Sequence, residues 1–388
     1  MPEHAVCSPS AAHRWMHCTP SARLEQKYPD TTSESASEGT FAHAWAELQL
    51  RLFLNQITQD DYVKRRKEMI DNEFYSKALK DYTEEYVDTV ISKYNAAKAR
   101  DKGAALLLEQ HVDFTEWVPE GYGRSDAIVF ADGLMEVIDF KYGRNVQVVA
   151  QNNPQLRLYA LGAYAELACI YDIDTTVLTI VQPRNGGESS ETLRLENLLA
   201  WGDSIKPVAK LAYEGKGKVK PGDYCRFCKA ASKCRELAEY QMSITEHMPQ
   251  QTKELTDEEI ADILQRADGF ISWLNGVKDY ALAEARDHGH KWPGMKLVEG
   301  RSCQKYTDET EVARMLNHEG YEDGLIYKPE SLIGITAMKK LLGPKKFKSL
   351  MSGYLIKPPG KPTLVPDSDK RPEWNSPEDD FEDIPESN

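Results

Sequence analysis

Apolar positions recur along this chain with two periods, one helical and one extended, and the switch between them marks its centre. Residues 36–54, ASEGTFAHAWAELQLRLFL, place apolar residues at helical spacing, with Ser37 or Thr40 available as an N-cap. Residues 60–99 also read as helical but are polar and rich in Lys, Glu and Tyr. The pattern then becomes extended in ALLLEQHVDF (105–114), YGRSDAIVF (122–130) and LMEVIDFKY (134–142). Turn-like PEGYG and ADG separate these runs, so they predict a three-strand meander. NPQLRLYALGAYAELA (153–168) returns to a helical stripe, and the β-branched TTVLTIVQP (175–183) predicts a further strand. This order predicts an α/β core with a central mixed sheet flanked by helices. After it come a cysteine cluster, a helical stretch near 255–287 and an irregular Lys- and Pro-rich part, and no internal repeat is visible.

Composition narrows the classes. The 388 residues suffice for a full core and, at about 150 residues per domain, suggest two or three domains. With 41% apolar and 28% charged residues the chain reads as a globular protein. It has no run of about 18 apolar residues, and MPEHAVCSPSAAHRWMHC lacks the pattern of a signal peptide, so the expectation is a cytoplasmic protein with no membrane contact. The net charge of −14 argues globally against a nucleic-acid partner. Its distribution changes that picture. Residues 366–388 hold nine acids against Lys370 and Arg371, a net of −7, and are too polar to pack, which predicts a disordered tail. Residues 335–361 hold seven lysines and no acid, a local basic patch.

Within the meander, Asp139 and Lys141 lie two apart in an extended run and so share one face. Burying either unpaired would cost roughly several kcal/mol. Asp126 lies in the preceding strand, across the short ADG turn, where facing residues of antiparallel strands are about 5 Å apart. Two carboxylates that close repel unless a cation sits between them, and hard oxygen donors suit Mg2+ or Mn2+. Lys141 then adds positive charge beside a scissile phosphate. An isolated Asp-x-Lys is more often a surface ion pair; further residues shift the balance. His43 and Glu47 stand at i and i+4 of one helix, as do Gln155 and Tyr159 of another.

In chain order these pieces resemble the RecB-type nuclease branch of the PD-(D/E)XK superfamily: GTFAH (39–43), GRSD (123–126), DFKYG (139–143) and QLRLY (155–159). The match covers roughly residues 35–240. The resemblance implies a restriction-endonuclease-like core in which His43, Asp126, Asp139 and the backbone carbonyl of Phe140 hold the metal. It further implies that Lys141 positions or activates water, and that Gln155 and Tyr159 orient the site or contact DNA. Glu47 and Glu109 are secondary candidates, and Glu47 would serve to fix the His43 ring. The Asp before the lysine, in place of Glu, is a variation the family allows.

Seven cysteines in a chain of this size are poor evidence for disulfides, and Cys225, Cys228 and Cys234 crowd into CRFCKAASKC, which favours metal. A tetrahedral zinc or an iron-sulfur cube needs a fourth ligand, for which Cys18 stands first and Cys7 second. One cysteine before the core and three after it resembles the AddB-like and CRISPR-associated nucleases, which implies a [4Fe-4S] cluster clasping the domain. Zn2+ held with a histidine such as His17 is the alternative. Cys169 and Cys303 read as packed small residues.

The expected organisation is therefore a nuclease domain over 1–248 closed by an iron-sulfur cluster, a mainly helical extension over 249–365 and the acidic tail 366–388. The opening SPSAAHRWMHCTPSARLE and parts of the extension resemble a phage-borne RecB-like family, which places the protein in a bacterial host cell. Lys339, Lys340, Lys345, Lys346 and Lys348 are candidates to track a phosphate backbone, with Tyr354 or Trp292 stacking on bases; a solvated helix face is the alternative. EDDFEDIPES resembles the acidic tip by which single-stranded DNA-binding proteins recruit recombination partners, or is a solubilising tail. The expected activity is metal-dependent exonuclease cleavage of DNA ends or single strands in phage recombination or replication. The alternatives are an inactivated DNA-binding scaffold, an endonuclease, or an enzyme acting on RNA. Neither oligomeric state nor polarity follows from the sequence.

Overall fold

The structure is a computed structural model and describes residues 5–29, 34–144, 146–168, 170–243, 255–298, 309–318, 335–351 and 353–355. Cys169, Cys303 and the tail 366–388 lie outside the described residues. Strands β1 (Ala105–Asp113), β2 (Tyr122–Ala131) and β3 (Gly133–Phe140) form the expected antiparallel meander. Helix α6 (Pro154–Leu167) then crosses over to β4 (Ile173–Gln182), which pairs parallel with β3. Strand β5 (Gly187–Arg194) adds antiparallel to β4 and completes a five-stranded mixed sheet in the order β1-β2-β3-β4-β5. β5 escapes the sequence reading because GESSETLR contains one apolar residue, Leu193, and shows no apolar alternation.

Both faces of the sheet are covered. Helices α3 (Glu34–Phe53) and α5 (Lys77–Arg100) pack Trp45, Leu79, Tyr86 and Val90 onto Leu106, Val129 and Ile138. On the other face α1 (Ala12–His17), α2 (Ser21–Leu24), α6 and α7 (Leu195–Glu214) pack Trp15, Ala22, Leu158, Leu161 and Ile205 into one core with Ile128, Phe130, Val137 and Leu178. Each large side chain buried this way contributes about 1.5–3 kcal/mol. Double coverage explains why β3 is buried at six consecutive positions, Met135 to Phe140. It also means that Asp139 is an acid inside a core strand.

The helical region predicted for 60–99 is two helices: α4 (Gln59–Ile70), N-capped by Thr58, and α5, N-capped by Ser76. Ser37 and Thr40 are not caps. Helix α3 begins at Glu34 and runs through both, and the Thr40 hydroxyl donates back to the Ala36 carbonyl at 3.1 Å.

After Lys141 the chain loops to α6, and Gln182, a buried residue ending β4, holds that loop. Its Nε2 donates to the carbonyls of Gly143 (2.7 Å) and Val146 (2.8 Å), and its Oε1 accepts from the Val148 amide (2.9 Å). Gln182→Leu would orphan three backbone groups and is expected to cost about 2–3 kcal/mol. A lowered urea midpoint is the expected reading, and an unchanged midpoint would show that the loop is held by other contacts.

Downstream lie α8 (Arg235–Met242), α9 (Asp257–Asp287), α10 (Glu309–His318), α11 (Ile335–Leu342) and α12 (Pro344–Met351). The stretch expected near 255–287 is α9, started by a Thr256/Glu259 capping box. The part expected to be irregular contains α10, α11 and α12 instead. Helix α9 rests on the cysteine loops through Ser232, whose hydroxyl is 3.3 Å from the Gly276 carbonyl. Helix α12 docks on α5, where the Lys345 amide lies 3.3 Å from Asp81 Oδ2 and Phe347 is buried. No helix among the described residues is long and apolar enough to cross a membrane.

Candidate functional site

The β2/β3 register pairs Ala127 with Ile138, and one step further along both strands Asp126 comes opposite Asp139. By alternation both acids lie on the α6 face, with Ile128 and Val137. The Phe140 amide donates to Asp126 Oδ2 at 2.7 Å, which fixes that carboxylate against the neighbouring strand. Asn153 caps α6 through the amides of Gln155 and Leu156, so Gln155 enters the first turn and Tyr159 follows one turn later on the same side. Gln155 Nε2 then donates to Asp139 Oδ1 (3.1 Å) and to the Tyr159 hydroxyl (3.2 Å), while its Oε1 accepts from Lys141 Nζ (3.1 Å). Lys141 Nζ also forms an ion pair with the buried Asp139 Oδ2 at 2.9 Å. Two carboxylates side by side, Asp139 buried and Asp126 half-buried, with one lysine beside them, leave oxygen lone pairs that a cation would complete.

From the opposite side α3 brings His43, whose Nδ1 is 3.3 Å from Asp126 Oδ1. One ligand atom each of His43, Glu109 and Asp126 lies within 4.8 Å of the others, a mixed nitrogen and oxygen donor set that suits a divalent cation. Glu109, a secondary candidate on sequence, thus stands with the principal ones. It has φ +50° inside β1, a left-handed conformation that costs about 1–3 kcal/mol for a residue with a side chain. That residue turns the strand over. Leu106 and Leu108 belong to the core under α3 and α5, whereas Val112 and Phe114 belong to the core under α6. Glu109→Gly is expected to stabilise the metal-free protein by about 1 kcal/mol through relief of this strain. The same change would weaken Mn2+ binding about tenfold or more through loss of a ligand. Thermal melts in EDTA and calorimetric Mn2+ titration check the two halves; unaltered Mn2+ affinity would remove Glu109 from the site.

The charges in this cleft are mutually adjusted. Burial pushes the Asp139 carboxyl above the usual carboxylate range against the pull of Lys141. Asp126 is held below that range, since its contacts with His43 and the Phe140 amide outweigh burial. Burial opposes protonation of His43, yet Asp126 and Asp139 raise it to about 9. Burial, together with Asp126 and Glu47, pushes Glu109 up to about 7. Without a cation the cleft therefore retains protons, which a metal would displace. Glu47 borders the same cavity, but its Oε1 accepts from Arg51 Nε at 2.6 Å. Tyr86, deeply buried, stacks on Phe140 with ring centroids 4.5 Å apart and closes the floor.

A second group of predicted residues also converges. Cys18, Cys225, Cys228 and Cys234 line one cavity, otherwise walled mainly by apolar residues such as Leu24, Val219 and Leu237. The Ser21 hydroxyl borders it, buried and without a hydrogen-bond partner. Burial raises the thiols of Cys225 and Cys234 and pushes Cys228 up to about 12, so they become thiolates at neutral pH only with a metal. Cys7, the second choice for fourth ligand, is not there: it is fully buried in the α6-side core. His17 is turned to the Tyr224 ring, with Nδ1 2.6 Å from the His13 carbonyl. Arg14 and Glu25 brace the cavity. Arg14 Nε and Nη2 both bond Glu25 Oε2 (2.9 and 2.6 Å), and Glu25 Oε1 accepts from the Lys229 amide (2.8 Å).

The predicted basic patch is only partly available. Lys345 Nζ is 3.6 Å from Glu84 Oε2, and Lys339 lies over the Phe347 ring, so both serve the docking of α11 and α12. Lys340, Lys346 and Lys348 are exposed. Trp292 is engaged against α9, donating from Nε1 to the Ala281 carbonyl at 2.9 Å, while Tyr354 is 85% exposed.

Compared with known families, residues 4–372 match the family described as "Protein of unknown function (DUF2800)". Among solved structures, the one titled "Crystal structure of SSO0001" is similar at 16% identity and a TM-score of 0.24, over 44% of this chain and 81% of that one. A likeness that slight carries no argument.

Proposed function

We propose that this chain, which belongs to the DUF2800 family, is a divalent-metal-dependent DNA nuclease on a PD-(D/E)XK core, acting as an exonuclease on DNA ends or single strands. The observation that carries this reading is the meeting of Asp126 and Asp139 with Lys141 and Gln155 in one cleft, where the buried Asp139 carboxylate is held by the Lys141 ammonium and the Gln155 amide. A stabilising ion pair alone would not need the second carboxylate, the histidine and Glu109 beside it.

Asp126, Asp139, His43 and Glu109, with the Phe140 carbonyl oxygen, would hold Mg2+ or Mn2+. When bound, the cation would supply charge to the scissile phosphate and lower the pKa of its water. The chain's own groups do the rest. Lys141 keeps its ammonium protonated: burial opposes this, but Asp139 more than compensates. It therefore brings fixed positive charge to a phosphate oxygen. Gln155 holds Lys141 and Asp139 in one arrangement through its two amide ends, and Tyr159 steadies Gln155 from below. Burial keeps the Tyr159 phenol protonated, so it acts as a hydrogen-bonding group and not as a base.

Cys18, Cys225, Cys228 and Cys234 would hold a [4Fe-4S] cluster, with Zn2+ as the alternative, tying the N-terminal segment to the end of the core. Their common cavity supports this reading. The decisive assay follows cleavage of end-labelled linear, circular and single-stranded DNA with Mn2+ and with EDTA. Mn2+-dependent release of nucleotides from linear but not circular DNA is expected. Cleavage of circles would make the enzyme an endonuclease, and absence of any cleavage would favour a binding scaffold.

A further inference from the structure

The surface around the cysteine cavity is cationic in a chain whose net charge is −14. Residues 215–235, GKGKVKPGDYCRFCKAASKCR, hold seven lysines and arginines against the single acid Asp223. The fold adds a second basic segment to this run: Arg23 and Lys27, from near the start of the chain, border one open cavity together with Lys233 and Arg235.

Part of this charge serves the fold. Arg23 Nε donates to the Tyr213 carbonyl, Lys233 Nζ lies 5.0 Å over the Tyr280 ring, and Lys216 pairs with Glu214 at 2.9 Å. Lys27, Lys218, Lys220 and Arg226 are exposed and, among the described residues, are in no ion pair. Arg235 reaches Glu239 only at 4.0 Å, with its side chain 84% exposed. Acids are present too, with Glu236 bordering the same open cavity and Glu214 paired to Lys216, but cations outnumber them on this surface. An aromatic ring stands among the cations: Phe227 is 60% exposed, and the Arg226 guanidinium lies 4.6 Å over its ring. The N-terminal segment links this surface to the carboxylate cleft. At one end Pro9 closes over Gly123 beside Tyr159, and at the other Arg23 and Lys27 border the groove.

We propose that this surface is a binding track for single-stranded DNA, with Lys27, Lys218, Lys220 and Arg235 on phosphates and Phe227 stacking on an unpaired base. Unpaired bases are required because a duplex hides their faces from the ring. The choice of DNA as partner rests on the function proposed above, but binding here needs no cleavage.

The test is binding of a fluorescein-labelled oligothymidylate of about twenty nucleotides, long enough to span such a track, in EDTA so that it is not cut. For the intact full chain carrying K27E/K218E/K220E/R235E, affinity is expected to fall at least about tenfold. The slope of log affinity against log salt should fall by about 3, at roughly 0.7 per phosphate contact. Phe227→Ala should weaken binding about tenfold with the salt slope unchanged, the mark of a stacking contact. Melting temperatures should not move, since none of these side chains is buried. If wild type binds and the quadruple variant binds equally well, the track is wrong while the nuclease reading stands. Equal affinity for the matching duplex would overturn the single-strand assignment. If wild type fails to bind any strand, DNA is the wrong partner and both fall.

Discussion

Replacing Asp139 and Lys141 together by alanine is expected to abolish metal-dependent DNA cleavage, by at least about a thousandfold, and to leave the protein folded. The loss corresponds to roughly 4 kcal/mol of transition-state stabilisation, the scale of removing a metal ligand and a charge aimed at the reacting phosphate. The double replacement is chosen for a physical reason. Asp139 is 2% exposed, and its ion pair with Lys141 is 2.9 Å long. Removing Lys141 alone would leave that carboxylate buried next to Asp126 without its counter-charge, a change that costs about 3–5 kcal/mol and would confuse lost chemistry with lost structure. Removing both partners deletes a pair whose net contribution is close to zero, so the melting temperature should move little. Gln155 keeps its bond to the Tyr159 hydroxyl. Cleavage by the purified double variant at the wild-type rate would sink the nuclease reading; a variant that melts normally and does not cut supports it.

The second large effect is expected at the cysteines. Protein prepared without oxygen should be brown, with absorbance near ~400 nm, and Cys225→Ala/Cys228→Ala should be colourless and much less stable. A tightly held group present at about a thousand times its dissociation constant stabilises by about 4 kcal/mol, and loss on that scale lowers a melting temperature by many degrees. The direct protein contacts across this junction would remain: Glu25 would still join Arg14 to the Lys229 amide. Four thiols lining one cavity, with Cys225, Cys228 and Cys234 raised by burial, are poor packing without a metal. A colourless, zinc-containing wild type would replace the cluster by the alternative metal. A variant that melts with an unchanged wild type would show that the cysteines hold nothing that matters to the fold.

Much of the cleft was legible in the residues. Alternation put Asp139 and Lys141 on one side of a strand, a three-residue turn put Asp126 opposite, and i,i+4 spacing joined Gln155 to Tyr159. These are relations over a few residues, governed by the repeat of a strand or a helix. The helix from 153 and the strand from 175 were legible for the same reason, and β5 was not, because a polar edge strand leaves no periodic trace.

Other features had no local signature. Glu109 joins His43 and Asp126 only because φ +50° turns β1 over, and a single acid in an apolar run does not announce a left-handed residue. The choice between Cys18 and Cys7 turned on which way the N-terminal segment packs: Cys18 reaches the cavity and Cys7 goes into the core. Lys345 reads as one free cation among seven, yet its place against Asp81 and Glu84 of α5 makes it a docking residue. The groove of Arg23, Lys27, Lys233 and Arg235 joins two ends of the core that no spacing connects. By itself the sequence determined which side chains share a face, because backbone geometry repeats every two residues in a strand and every 3.6 in a helix. Only the tertiary structure decided which of those faces meet, because contacts between distant segments follow from how the sheet and its helices bury their apolar surface.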